Sequence, residues 1–219
     1  MIILGIDTST DQLGLGLSDG KSIIAEIHDN SSREHASQIM GGIDRLLEKA
    51  SIKKADITGL AVAIGPGSFT GLRIGLAVAK GMALALGVPI IGVSTYEVIA
   101  MRLEGEYKSF FLSSPVRRGE YYLVHAKADA DIRKEIITVT ADNLPQKVGS
   151  IPIGLVGREP DGWQAIPKTE IPRDRLLVSG GELAQLGAGL LGAGRFDDLA
   201  TLEPLYIVAS QAEIKYGQR

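Results

Sequence analysis

Gly65-Pro66-Gly67-Ser68-Phe69-Thr70-Gly71-Leu72-Arg73-Ile74-Gly75 follows an apolar run, Leu60 to Ile64, and opens a long apolar stretch, Leu72 to Leu86. The run has the length and composition of a buried strand, and the stretch after it reads as a helix. Closely spaced glycines and a proline between them fix a tight strand-to-helix turn. Such a turn can aim the free N–H groups of a helix start at an anion. No Gly-Lys-Ser/Thr closes it, so it is not a P-loop.

Toward the N-terminus, Ile2 to Ile6 reads as a buried strand that ends at Asp7-Thr8-Ser9-Thr10. Leu13, Leu15 and Leu17 alternate with small residues at the period of a strand, Asp19-Gly20 signals a hairpin turn, and Ser22 to Ile27 continues as a third strand. Ser31 and Glu34 have the spacing of a capping box. After them Ala36, Ile39, Met40, Ile43, Leu46, Leu47 and Ala50 recur at helical spacing. Beyond the apolar helix, Val88 to Val93 is a further strand. Three strands, helix, strand, helix, strand is the order of the ribonuclease-H-like half-domain found in actin, Hsp70 and sugar kinases. The expectation is therefore an α/β chain with a two-lobed ribonuclease-H-like (ASKHA) fold and a reduced second domain. Residues 1–102 form the first domain and 103–219 a smaller α/β one, whose last residues can return to the first. In the second half, Ser109 to Ser113, Glu120 to Ala126, Ile132 to Thr140 and Ile151 to Val156 read as strands. Leu176 to Leu191 holds a helix, and Glu104-Gly105-Glu106 reads as a linker.

The chain has 219 residues, is 45% apolar and carries a formal net charge of −3, enough for a substantial core and without the basic excess of a protein that grips nucleic acid alone. With no cysteine, disulfides, thiolate metal sites and cysteine nucleophiles are excluded. The N-terminus lacks the basic region of a signal peptide, and Arg73, Lys80 and Pro89 interrupt the apolar stretch. The expectation is a cytoplasmic protein with no membrane partner.

Asp7, Thr8 and Ser9 stand at a strand end, where kinase-like proteins place a carboxylate and hydroxyls for phosphate. Together with Gly65, Gly67 and Ser68 they make a candidate vestigial phosphate loop. The competing reading is a hairpin whose Asx and Ser/Thr bonds satisfy the turn itself. A second acidic loop, needed to complete a phosphate clamp, is not visible. Ser179-Gly180-Gly181 reads as a turn before a helix rather than an adenosine loop, and Arg117-Arg118-Gly119-Glu120 as a solvated hairpin tip. Only His28, His35 and His125 occur, and the position one turn after His35 is Ile39, which cannot coordinate. No metal site and no catalytic residue is assigned, because no nucleophile stands at a legible spacing from a base. The apolar helix is hydrophobic all round, and Gly71, Gly75 and Ala79 form a small-residue stripe along it. A partner interface is expected at Ala36, Ile39, Met40, Ile43, Leu47, Gly71, Leu72, Gly75, Leu76, Ala79 and Met82.

Ile3-Leu4-Gly5-Ile6-Asp7-Thr8-Ser9-Thr10, His35 at a helix start, and the glycine loop followed by Ala79-Lys80-Gly81 resemble the TsaB (YeaZ) family. The likeness is strong over residues 1–100. Later, Arg117-Arg118-Gly119-Glu120-Tyr121-Tyr122 and Glu203-Pro204-Leu205-Tyr206-Ile207 are similar to family motifs, while Pro115, Val116 and Val208 depart from them. The resemblance implies a non-catalytic subunit of bacterial tRNA threonylcarbamoyladenosine synthesis. It pairs with TsaD, which carries the transfer to adenosine beside the anticodon, and TsaE joins the pair. It also implies self-association as a homodimer when alone, contact with tRNA only through the complex, and no cofactor of its own, with weak ATP or ADP binding left to the complex. The alternative is an independent ASKHA-type ATPase or phosphotransferase built on Asp7 and the glycine loop.

Overall fold

The computed structural model describes residues 1–29, 35–127, 131–166, 168–205 and 207, without the side chains of 35–37. The Ser31/Glu34 capping box, the side chains of His35 and Ala36, and Tyr206 and Val208 lie outside the described residues.

A first sheet is built from β1 (Ile3–Asp7), β2 (Leu13–Ser18), β3 (Ile23–Asp29), β4 (Gly59–Gly65) and β5 (Ile90–Ser94), in the order β3-β2-β1-β4-β5. The first three strands are antiparallel neighbours, and β4 and β5 join β1 in parallel. This is the ribonuclease-H-like arrangement that the element order predicts. Its helices are α1 (His35–Ala50) and α2 (Phe69–Leu86). A second sheet, in the order β8-β7-β6-β9, is built from β6 (Ser109–Arg117), β7 (Glu120–Lys127), β8 (Ile137–Thr140) and β9 (Ile153–Leu155).

Two helices escape the sequence reading. One is α3 (Thr95–Leu103), which runs up to the supposed linker; the other is the short α4 (Leu144–Val148). A capping box was the missed signal for α3. Ser94 Oγ accepts from the Tyr96 amide (3.2 Å), and Glu97 Oε2 accepts from the Ser94 amide (2.8 Å). The expected helix within Leu176 to Leu191 is α5 (Gly180–Gly192), and Arg173–Leu176 before it is a 3₁₀ turn. The strand expected from Ile132 is ordered as a strand only from Ile137.

The alternation of β1 and β4 sorts the core into two layers. Leu4, Ile6, Leu60 and Val62 face α1 and α2, with Ile39, Ile43, Leu46, Leu76 and Ala79 packed among them. Ile3, Ala61, Ile91 and Val93 face the other way, toward α3, α5 and the inner residues of the second sheet, Phe110, Leu112 and Val124. Each fully buried leucine or isoleucine contributes roughly 1.5–3 kcal/mol relative to an exposed one. Because the second layer is shared, the two sheets are joined by one continuous core. Polar ties cross it as well. Arg102 reaches Glu182 through a bidentate pair and donates to the Arg175 carbonyl (3.2 Å), and the Tyr96 hydroxyl meets Ser114 Oγ at 2.7 Å.

Candidate functional site

The glycine loop folds onto the turn that ends β1. The Ser68 amide donates to the Ser9 carbonyl at 2.7 Å, and the Thr8 hydroxyl donates to the Gly71 carbonyl at 2.7 Å. Ser68 then caps α2, its Oγ accepting from the Gly71 amide. The contact needs bare backbone. A Cβ on Gly71 or Gly75 would come within 3.0 Å of Thr8, and one on Gly67 within 3.0 Å of Ser9. Asp7, Thr8, Ser9, Gly65, Gly67 and Ser68 are thus brought together, but Asp7 is only 1% exposed and Thr8 and Ser9 are as deeply buried. Asp7 Oδ1 accepts from the Ser9 amide (3.0 Å), an Asx-type turn, while Oδ2 has no hydrogen-bond partner. Burial pushes the Asp7 carboxyl up to about 6, against the lowering effect of Ser9 and the nearby His28. As folded, the Asp7 carboxylate and the Thr8 and Ser9 hydroxyls are shielded from solvent, while Ser68 beside them is exposed.

Most of the residues expected at an interface face inward in this chain. Ile39, Ile43, Leu47, Leu72, Leu76, Ala79 and Met82 are buried in this chain's own core, and Gly71 and Gly75 lie beneath Thr8. The small-residue stripe admits the end of β1, not a foreign helix. The reason is geometric: a short loop from β4 forces the Gly71-Gly75-Ala79 side of α2 against the sheet. Of the expected residues with described side chains, Met40 is the exposed one, at 40%. The outer face of α1 is otherwise polar, with Asp44, Arg45, Glu48 and Lys49 exposed.

The outer face of α2 is the reverse. Phe69 is 47% and Leu84 75% exposed, with Ala77 and Gly81 open between them and Ile74 and Val78 half-buried beside them. The Arg73 guanidinium stands 3.9 Å from the Phe69 ring centroid. Among the described residues α2 is the helix long and apolar enough to cross a membrane, with 33% of its span buried in the fold. Sequence reasoning missed this outer set because it took the helix as apolar all round without asking which side the loop turns inward.

The remaining candidates are structural or solvated. Ser179 caps α5, accepting from the Glu182 amide (3.1 Å) and donating to Glu26 Oε2 (2.6 Å). Gly180 and Gly181 press on β2 and β3, leaving no space for a nucleotide there. Arg117 pairs with Glu120 across the exposed β6–β7 turn. Among the described residues no group of three or more His, Asp or Glu side chains could hold a metal.

A family model described as "TsaD: tRNA N6-adenosine threonylcarbamoyltransferase" matches residues 23–184, most of the chain. The tRNA threonylcarbamoyladenosine biosynthesis protein TsaB of Buchnera aphidicola is 36% identical over 49% of this chain and 50% of its own length. That of Escherichia coli is 28% identical over 94% of each. The chain belongs to the TsaB (YeaZ) branch of the TsaD family. The chain spans about half the length of some curated TsaB relatives it matches and nearly all of the Escherichia coli one. YeaZ from Pseudomonas aeruginosa has the same fold, with a TM-score of 0.73 at 20% identity, covering 94% of this chain and 99% of that one. In this TsaB-branch chain the glycine loop, the most telling motif of the sequence, is a clamp between β1 and α2.

Proposed function

We propose that this chain is a non-catalytic scaffold subunit in tRNA threonylcarbamoyladenosine synthesis. It pairs with TsaD, TsaE joins the pair, and tRNA is reached through the complex in the cytoplasm. The observation that carries the reading is the outer face of α2, where Phe69, Ala77, Gly81 and Leu84 form an exposed, largely apolar strip. A strip of this kind marks a contact surface rather than a stable monomer face. When alone, the chain uses the same strip to self-associate. Ile39, fully buried one turn after His35, fits a TsaD relative that has lost metal chemistry.

The test is co-elution with a purified TsaD homologue. Leu84→Asp is expected to weaken pairing at least about a hundredfold, because an uncompensated charge in a packed contact costs about 3–5 kcal/mol. Its melting temperature should match the wild type, since Leu84 touches little of its own chain. A charge at Gly75 or Ala79 should instead unfold the protein, because both are buried in the fold. Undiminished pairing by Leu84→Asp would reject the surface, and failure of the wild-type chain to pair would reject the function.

Against an independent phosphotransferase stands the burial of Asp7. ATP turnover by the purified chain is expected at background level and unchanged in Asp7→Ala. Turnover lost on that substitution would restore the enzyme reading.

A further inference from the structure

The fold assembles a nucleophile and a base that their separation in sequence hides. In the second sheet β6 and β7 run antiparallel, with Ser109 opposite Lys127 and Phe111 opposite His125. Alternate residues of a strand share a face, so these four positions stand on one side of the hairpin. It is the side away from the shared core, since Phe111 packs with Tyr121, Leu123 and Val139 rather than with Phe110 and Leu112. There the hydroxyl of Ser109 meets His125 Nε2 at 2.9 Å. The imidazole lies on Phe111, with ring centroids 4.4 Å apart and planes 17° from parallel. The stack fixes the plane of the ring and leaves the nitrogen that meets the serine at its edge. Ser109 and His125 are both half-buried, within reach of a small molecule.

Ser68, Ser94 and Ser179 use their hydroxyls to cap helices. Ser109 opens a strand instead, and its hydroxyl is turned to the imidazole. Burial first, and the charge of Lys127 second, hold that imidazole below its ordinary value of 6.5, with Glu135 opposing them. The ring is therefore neutral at pH 7, the state that takes a proton from a serine. We infer that Ser109 and His125 form a nucleophile–base pair that accepts acyl groups from small activated esters. The pair stands on an open sheet face, so it selects by reactivity rather than by shape. Ser109 Oγ bonds to the ester carbonyl carbon as its proton passes to His125 Nε2. Lys127, across the ladder from Ser109, supplies positive charge beside the oxyanion. Collapse breaks the bond to the leaving alcohol, which departs with the proton from Nε2 and leaves Ser109 acylated. His125 then takes a proton from water as the water oxygen bonds to the acyl carbon. The bond to Ser109 Oγ breaks, the proton returns to that oxygen, and the carboxylic acid departs. One ester and one water become one acid and one alcohol, with nothing oxidised or reduced. This reaction is separate from threonylcarbamoyl transfer and from pairing with TsaD.

The probe is p-nitrophenyl acetate, given to the purified full chain. Release of p-nitrophenol is followed by absorbance, and acetylated positions are mapped by mass spectrometry after an acid quench. Ser109 is expected to carry the acetyl group. General-base assistance is worth roughly 10²–10⁴ in rate, so His125→Gln should slow acetylation of Ser109 about a hundredfold. Ser109→Ala should abolish turnover. A second measurement uses the wild-type protein alone, where folding is not in question. Its rate of Ser109 acetylation should rise with pH through one ionisation below 6.5 and then level off, because only the neutral imidazole accepts the proton. Acetyl groups on lysines but not on Ser109 would overturn the assignment, as would turnover kept in Ser109→Ala. So would a rate that climbs steadily with pH, as direct attack by hydroxide does. Each outcome is read on the chain by itself, so this inference and the pairing with TsaD fail separately.

Discussion

Asp7→Asn is expected to stabilise the protein at neutral pH by up to about 3 kcal/mol and to have no such effect at pH 4. The carboxyl sits in the fold at about 6, against an ordinary value of 3.8, because burial removes it from water. Between those two values the native state binds a proton that the unfolded chain has released. Stability therefore falls as pH rises through this window, and the loss is complete above the folded value. Amide in place of carboxyl keeps the oxygen that accepts from the Ser9 amide. It removes the charge that burial penalises. The figure is a ceiling, because the amide N–H₂ inherits the place of an oxygen that has no partner. Urea unfolding of both proteins at several pH values between 4 and 8 gives the difference curve, in which other titrating groups cancel. Parallel curves across the window would mean that Asp7 is not perturbed as described.

The first sheet was legible because each element announces itself locally. Alternating leucines mark β2, an apolar run marks β4, and a helical stripe marks α1. The order of these elements then leaves few topologies. The family was legible for a different reason: the glycine loop is a long, specific string. Orientation was not legible. Which side of α2 meets the sheet depends on how Thr8 fits under Gly71 and Gly75, a contact between segments over sixty residues apart in sequence. The burial of Asp7, Thr8 and Ser9 was illegible on the same ground, since composition at a strand end says nothing about whether a loop closes over it. α3 was missed although the linker after it stands where the sequence put it. Glu104-Gly105-Glu106 has the composition of a linker, and the cap at Ser94 lay hidden at a strand end.

Gly16→Ala is the other substitution with a large expected effect, and a nearby glycine provides its control. Gly16 lies in β2 directly under the first turn of α5, where an added methyl would come within 3.0 Å of the backbone of both Gly180 and Gly181. Backbone cannot rotate away as a side chain can, so the helix start must lift. Lifting it loosens Leu183 and Ala184 from the sheet and disturbs the Ser179–Glu26 bond. Overpacking usually costs about 1–3 kcal/mol, and a clash against backbone on this scale is expected at or above the top of that range. Gly189 sits on the exposed side of the same helix, where an added methyl meets nothing within 4 Å. Gly189→Ala should gain up to about 1 kcal/mol from helix propensity alone. Denaturant midpoints for the two variants should therefore move in opposite directions although the chemical change is identical. A Gly16→Ala protein as stable as wild type would show that α5 is not seated on β2 by bare backbone contact.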